Sequence, residues 1–273
     1  MTHEEIKSCC ADAYSRDIVA MLLGDSYHPG GTALTRRLAD RLALAPGMRI
    51  LDVASGRGTT ALLLADAYRV RADGIDYAPS NTALAQGAAQ AAGLADRAVF
   101  TTGDAEHLPY ENAVFNAVVC ECALCTFPDK HQAAAEFARV LKPGGRLGIT
   151  DVTADTDRLP PELRGLTARI ACIADARPLD EYAEILAAAG LRTLTMERHD
   201  QAIIRMIDQI QARLSLLRVT APARLAEAGM DLDAAPAVLD AARAAVTDGV
   251  LGYALLTAVK SPGEPPGELP SGT

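Results

Sequence analysis

The sequence predicts an α/β protein, a doubly wound and mostly parallel sheet of seven strands with a helical insertion before the last one. Three observations carry that prediction. From Arg49 onward, short apolar runs alternate with segments of helical period, the pattern that builds parallel sheets. The stretch Leu51-Asp52-Val53-Ala54-Ser55-Gly56-Arg57-Gly58 closes one apolar run and opens a helical one, so a strand passes through a glycine loop into a helix. A chain of 273 residues, 49% of them hydrophobic, is long enough to bury one sizeable core.

The elements follow in order. Thr2 and Glu5 have capping-box spacing and start a helix with Ile6, Cys9, Cys10, Ala13 and Tyr14 at helical intervals. His28-Pro29-Gly30-Gly31 interrupts it, and Leu34, Leu38 and Leu42 stripe the next helix. Strands are predicted over 49–53, 70–76 and 98–102, with helices over 59–68 and 80–92, the latter stopped by Gly93. The run 113–122 reads as a buried fourth strand. Asp129 caps a helix reaching Leu141, and Pro143-Gly144-Gly145 turns into a fifth strand over 146–151. Helices are expected around 161–172 and 179–189, a strand over 191–197, helices between Gln201 and Thr247, and a final strand over 252–260. Residues 261–273 are rich in proline and glycine without apolar anchors and are expected to be disordered.

The loop at Gly56 and Gly58 lets backbone approach a ligand closely, and the amides opening the next helix carry partial positive charge. Read as Gly56-Arg57-Gly58-Thr59-Thr60-Ala61, it also satisfies the dinucleotide fingerprint, with Asp76 as the ribose-binding acid. Two further acids favour another ligand, because Asp52 closes the first strand and Asp104 follows the third. Carboxylates repel a pyrophosphate but attract the ammonium and sulfonium of S-adenosylmethionine. Over residues 45–155 the chain resembles the class I S-adenosylmethionine-dependent methyltransferases, and Gly252 to Lys260 looks like that family's last, antiparallel strand. The resemblance implies S-adenosylmethionine as cofactor, with Asp52 beside its methionine part, Gly56 and Gly58 as backbone floor, Asp76 on the ribose hydroxyls, and Asp104 with Ala105 at the adenine amino group. Ala54 stands where the family usually has its first glycine, and Tyr77 and Glu121 complete the expected cofactor set.

The thiols bear on the acceptor. Cys120 and Cys122 are two apart on the expected fourth strand, so their side chains should project to one side, with Cys125 in the following loop. At least one thiol should then face the crevice, although buried cysteines more often serve as small apolar fillers. The segments 120–130, 139–147 and 171–176 look like the arsenite methyltransferases, in which Cys122 and Cys172 match the two cysteines that hold trivalent arsenic. Cys9 and Cys10 resemble that group's N-terminal pair, whereas Gly24-Asp25-Ser26 replaces a further cysteine. The resemblance therefore implies thiolate-held arsenic as substrate, with Cys122, Cys172 and Cys10 taking part. Soft thiolates suit that element and leave its lone pair for the methyl group. The alternative is a small organic acceptor methylated at O, N or C, with packing cysteines. A hydroxyl or protonated amine would be helped by a base, for which His28, His107 and Glu121 are candidates. A protein that binds the cofactor without transferring its methyl, and a nicotinamide-dependent oxidoreductase, are further readings.

A net charge of -9 opposes nucleic acid and anionic lipid as partners. The fourth strand ends in Cys120-Glu121-Cys122-Ala123, where nucleic-acid amino-methylating enzymes carry Asn/Asp-Pro-Pro-aromatic. The N-terminus lacks a signal-peptide pattern and no apolar run reaches membrane-spanning length, so a cytoplasmic protein with reduced thiols is expected. The expected layout is a helical cap over 1–45, the cofactor-binding α/β core over 46–155, substrate-side helices with the last two strands of the same domain over 156–260, and the tail over 261–273. The partner is a small-molecule or metalloid substrate. The sequence leaves oligomeric state open.

Overall fold

The computed structural model describes residues 2–24, 27–164, 173, 175–227 and 235–261. Three helices come first: α1 (His3–Ser15), α2 (Asp17–Leu23) and α3 (Gly31–Leu42). The alternating core is β1 (Arg49–Val53), α4 (Thr59–Ala67), β2 (Arg71–Asp76), α5 (Pro79–Ala91), β3 (Ala98–Thr102), β4 (Phe115–Glu121), α6 (Lys130–Val140) and β5 (Leu141–Ala154). It continues through α7 (Leu179–Ala188), β6 (Leu191–Arg198), α8 (Asp200–Thr220), α9 (Pro222–Glu227), α10 (Ala235–Thr247) and β7 (Leu251–Lys260).

The seven strands form one sheet in the order β3-β2-β1-β4-β5-β7-β6. The first five pair in parallel, and β7 runs antiparallel between β5 and β6. The expected sheet, with its antiparallel last strand, is therefore present. Consecutive residues of one strand enter opposite cores: Ile50 and Val119 join Leu38, Leu64 and Tyr253, while Leu51 and Val118 join Phe137 and Leu147. That alternation is what a strand covered by helices on both faces requires. Strand order reverses between β1 and β4, and the crevice outside their carboxyl ends is where such sheets receive ligands.

The local signals at the helix ends act as read. Thr2 N donates to Glu5 Oε2 at 2.7 Å and Glu5 N to Thr2 Oγ1 at 3.2 Å, the reciprocal capping box of α1. Asp129 Oδ1 accepts from Gln132 N at 2.9 Å and caps α6. Leu34, Leu38 and Leu42 bury the inner stripe of α3.

Other boundaries move. β4 is shorter than 113–122, because Ala113 at φ 57° and Cys122 at φ 55° are left-handed and leave the extended conformation. β5 is much longer than 146–151, since the Pro143-Gly144-Gly145 turn is absorbed at an irregularity where Leu141 pairs with Phe115 and Arg146 with Ala117. Near Pro161 the chain makes single 3₁₀ turns, Thr156–Arg158 and Pro161–Leu163; the rest of the helix expected to 172, including Cys172, lies outside the described residues, as does the tail from 262.

The inserted helices pack rather than face the crevice, with α8 against α2, α10 and β7. Leu214 and Leu217 of α8 cluster with Ile18 and Leu22 of α2 and Leu225 of α9. No helix among the described residues is long and apolar enough to cross a membrane.

Candidate active site

A cavity of about 410 Å³ opens at the carboxyl ends of β1, β2 and β4. Its floor is the loop 54–58 with Asp52, Asp76 and Glu121, and its roof comes from Lys7, Ala11 and Tyr14 of α1, Ala20 of α2, and Tyr27 and His28 before α3. No described residue beyond Phe127 lines it.

The loop reaches this shape through three left-handed residues: Ala54 at φ 56°, Gly56 at φ 54° and Gly58 at φ 85°. Ala54 tolerates strain that glycine would avoid, which accounts for the usual glycine at its position. A Cβ on Gly56 would meet nothing within 4 Å and would project into open space. A Cβ on Gly58 would lie 2.7 Å from Phe100 Cζ and 2.9 Å from Ala85 Cβ. Gly58→Ala is therefore expected to cost about 2–4 kcal/mol through left-handed strain and overpacking together, seen as a lower midpoint in chemical denaturation. An unchanged midpoint would show that the loop relaxes freely.

Asp76 pins the loop to β2. Its Oδ2 accepts from Gly56 N at 2.8 Å, and its Oδ1 from Ala78 N at 2.9 Å and Asn81 Nδ2 at 3.1 Å. Burial raises its carboxyl above the ordinary value even though these three donors oppose the shift. Asp52 Oδ2 accepts from Ala61 N, in the first turn of α4, at 3.0 Å. Burial and then the nearby Glu121 charge push Asp52 well above the usual carboxylate range.

Glu121 collects hydroxyls from three elements. Thr60 Oγ1 donates at 2.7 Å and Thr35 Oγ1 at 2.9 Å to Oε2, and Thr150 Oγ1 donates at 3.3 Å to Oε1. Tyr253 Oη in turn donates to Thr150 Oγ1 at 3.0 Å. His28 Nε2 lies 3.5 Å from Glu121 Oε2. Sequence reasoning missed the convergence of Thr35, Thr60 and Thr150 on this acid, for which no local motif exists.

Asp104 is met from the roof. Lys7 Nζ stands 2.7 Å from Asp104 Oδ2 and 2.5 Å from Glu106 Oε2, with its side chain only 13% exposed. Burial would lower this ammonium, and its hydrogen bonds to the two acids outweigh that effect and hold it above the ordinary lysine value. At the opposite end Arg57 pairs with Asp17 of α2 at 3.0 Å. The N-terminal helices are thus fastened to both ends of the cavity by ion pairs.

The expected residues therefore gather: Asp52, Ala54, Gly56, Asp76, Tyr77, Asp104, Ala105, Glu121 and Cys122 all line the cavity. Gly58 supports the loop from beneath. The thiols do not gather as the strand spacing implied. Cys120 is fully buried in the core cluster of Leu51 and Val118, where burial pushes its thiol well up. Cys122 packs beside the other cluster and faces the cavity. The left-handed turn at Cys122 breaks the two-residue alternation, so the two side chains do not share a side. Cys125 is fully buried, and its backbone N–H donates to Asp151 Oδ2 at 3.0 Å. Cys9 and Cys10 lie on α1, the side chain of Cys10 being outside the described set. His107 is exposed and off the cavity wall, unlike His28.

The wall fits a cationic adenosyl ligand. Asp52, Asp76, Asp104 and Glu121 outnumber Lys7 and Arg57, both of which already face acids. Three atoms on this wall, Tyr27 Oη, Ser55 Oγ and Asn81 Oδ1, are buried without a hydrogen-bond partner in the protein, a costly state that a polar ligand would relieve.

Comparison with known proteins agrees with this geometry. A family profile described as a methyltransferase domain matches residues 51–149. The chain is similar to the 27-O-demethylrifamycin SV methyltransferase of Amycolatopsis mediterranei, 32% identical over 91% of this chain and 94% of that protein. It also resembles the arsenite methyltransferase of Halobacterium salinarum, 30% identical over 59% of this chain and 41% of that one. Among solved structures, the [4+2]-cyclase SpnF superposes with a TM-score of 0.71 at 29% identity, covering 85% of this chain and 82% of the other.

Proposed function

The chain belongs to the class I S-adenosylmethionine-dependent methyltransferases, and on that premise we propose that it methylates a hydroxyl of a small organic acceptor. The cofactor supplies an activated methyl group on a sulfonium. In this reading Asp52 faces the ammonium of its methionine part, the backbone of 54–58 lies beneath it, Asp76 with Tyr77 takes the ribose side, and Asp104 with Ala105 the adenine. Glu121 adds negative charge near the reacting end. What remains for the protein is in-line positioning and water exclusion, effects worth up to about 7–11 kcal/mol for well-oriented reactants.

The observation that carries the acceptor class is the similarity of nearly full length to a protein named for O-methylation. Among the described cysteines, Cys120 and Cys125 are fully buried and Cys122 lines the cavity. Arsenic held by Cys122 and Cys172 is the second reading. It is favoured by Cys122 facing the cavity and by the partial likeness to an arsenite methyltransferase.

One experiment separates them. Purified protein with S-adenosylmethionine is offered phenols, alkanols, 27-O-demethylrifamycin SV, and arsenite with a thiol reductant, and products are read by mass spectrometry. Methyl ethers are expected, and Cys122→Ser should keep at least half the wild-type rate. Methylated arsenic as the sole product, abolished by Cys122→Ser, would replace the hydroxyl reading with the thiolate one.

A further inference from the structure

The reading above gives His28, beside the cavity, no task. His28 is 7% exposed, sits in the loop before α3 and lines the cavity. Its Nε2 is 3.2 Å from Thr35 Oγ1 and 3.5 Å from Glu121 Oε2, and its Nδ1 is 3.3 Å from the Pro29 carbonyl oxygen. A histidine and a carboxylate buried together are costly to desolvate, and as packing alone an apolar pair would serve as well. Here both line the cavity in which the methyl transfer is proposed to occur.

We propose that Glu121, Thr35 and His28 form a proton relay that deprotonates the acceptor, with Glu121 receiving the proton and His28 holding it. The inference rests on the hydroxyl reading above. Thr35 is the joint, because its one hydroxyl hydrogen can point to His28 Nε2 or to Glu121 Oε2, both within hydrogen-bond reach. With a neutral ring, Nε2 accepts from Thr35. With a protonated ring, Nε2–H donates to Thr35 Oγ1, Thr35 donates to Glu121, and Nδ1–H donates to the Pro29 carbonyl. The exchange moves hydrogens while the heavy atoms stay where they are.

The balance is simple. An acceptor oxygen lone pair forms the O–C bond to the methyl, the C–S bond breaks with its electrons going to sulfur, and the hydroxyl proton passes to Glu121, then His28, and finally to water. Thr60 and Thr150 keep Glu121 in register. Tyr253 donates into Thr150, which turns the Thr150 hydrogen towards Glu121. The Glu121 charge in turn reaches three ionisable groups packed around it, Asp52, Cys120 and Tyr253, and raises each of them.

Two readouts test this. With hydroxyl acceptors, His28→Gln should lower kcat at least a hundredfold for an alkanol but less than tenfold for a nitrophenol already ionised at the assay pH, with S-adenosylhomocysteine affinity by calorimetry within threefold of wild type. Equal losses for both acceptors, or none, would overturn the relay. The second readout needs no acceptor: in ¹⁵N-histidine-labelled protein loaded with S-adenosylhomocysteine, the ring resonances assigned by His28→Gln should move in Thr35→Val and in Glu121→Gln. Unmoved resonances would also overturn it. Methylation of arsenite alone would instead sink the hydroxyl reading, and the ring resonances would still decide whether the three residues are coupled.

Discussion

Asp76→Asn is expected to weaken S-adenosylmethionine binding at least about a hundredfold while leaving a folded protein. Asparagine keeps the shape of the side chain and the oxygen that accepts from Ala78 N and Asn81 Nδ2. It replaces the other oxygen with an NH₂ donor that must face the N–H of Gly56, now 2.8 Å away. Two opposed donors push the glycine loop out of place, and the charge proposed to meet the ribose hydroxyls is lost. Hydrogen bonds to a charged group contribute about 1.5–3 kcal/mol each, so two of them account for a hundredfold or more. The fold should lose about 1–3 kcal/mol as well, the cost of one buried donor left unpaired. Calorimetric titration of the variant, with circular dichroism to confirm folding, gives the answer. An affinity within threefold of wild type would remove Asp76 from the cofactor's contacts.

The second large effect is a pH dependence of cofactor binding. Burial raises the carboxyls of Asp52 and Asp76, and Glu121 raises Asp52 further, so the ligand-free protein holds protons there that the unfolded chain releases near pH 4. Stability from these groups is fully present below that pH and is lost as pH rises through their raised folded values. A cationic ligand has the opposite preference, since it favours the ionised carboxylates and expels their protons. S-adenosylmethionine affinity should therefore rise with pH across this window, by up to about tenfold per unit for each linked proton. The thermal shift it produces should grow in step. S-adenosylhomocysteine, which lacks the sulfonium charge, should show a shallower slope. Calorimetry in buffers of differing ionisation enthalpy would count the protons released, and a pH-independent affinity between pH 5 and 8 would dismiss the coupling.

Lys7 reaches across to Asp104 and Glu106, so the acid expected at the adenine end already has a cationic neighbour from α1. The N-terminal helices are consequently part of the site. The linear chain presents them only as a helical cap.

How far the sequence reaches depends on the range of the forces involved. The alternation of strand and helix, the glycine loop, the capping box at Thr2 and Glu5, and the acids at strand ends are local patterns, and each survives folding unchanged because neighbouring residues dictate it. They were enough to identify the sheet and its cofactor. The cysteines were misplaced for an equally local reason. A period of two assumes an unbroken strand, and the left-handed turn at Cys122 follows from where β4 must end beneath the crevice. The long β5 is similar: nine residue pairs with β7 carry it on to Ala154, and the pairing of Leu141 with Phe115 takes the Pro143-Gly144-Gly145 turn into the strand as an irregularity.

The chain alone determined the doubly wound architecture and the acid-ringed glycine loop, because short-range periodicity and backbone freedom at particular residues are written in adjacent positions. Only the tertiary structure decided which acids receive which partners. Thr35, Thr60 and Thr150 converge on Glu121 from three different elements with Tyr253 of a fourth behind Thr150, Lys7 crosses to Asp104, and Cys120 and Cys122 go to opposite cores. Such convergence arises from packing between segments up to a hundred or more residues apart, and no pattern in neighbouring residues encodes it.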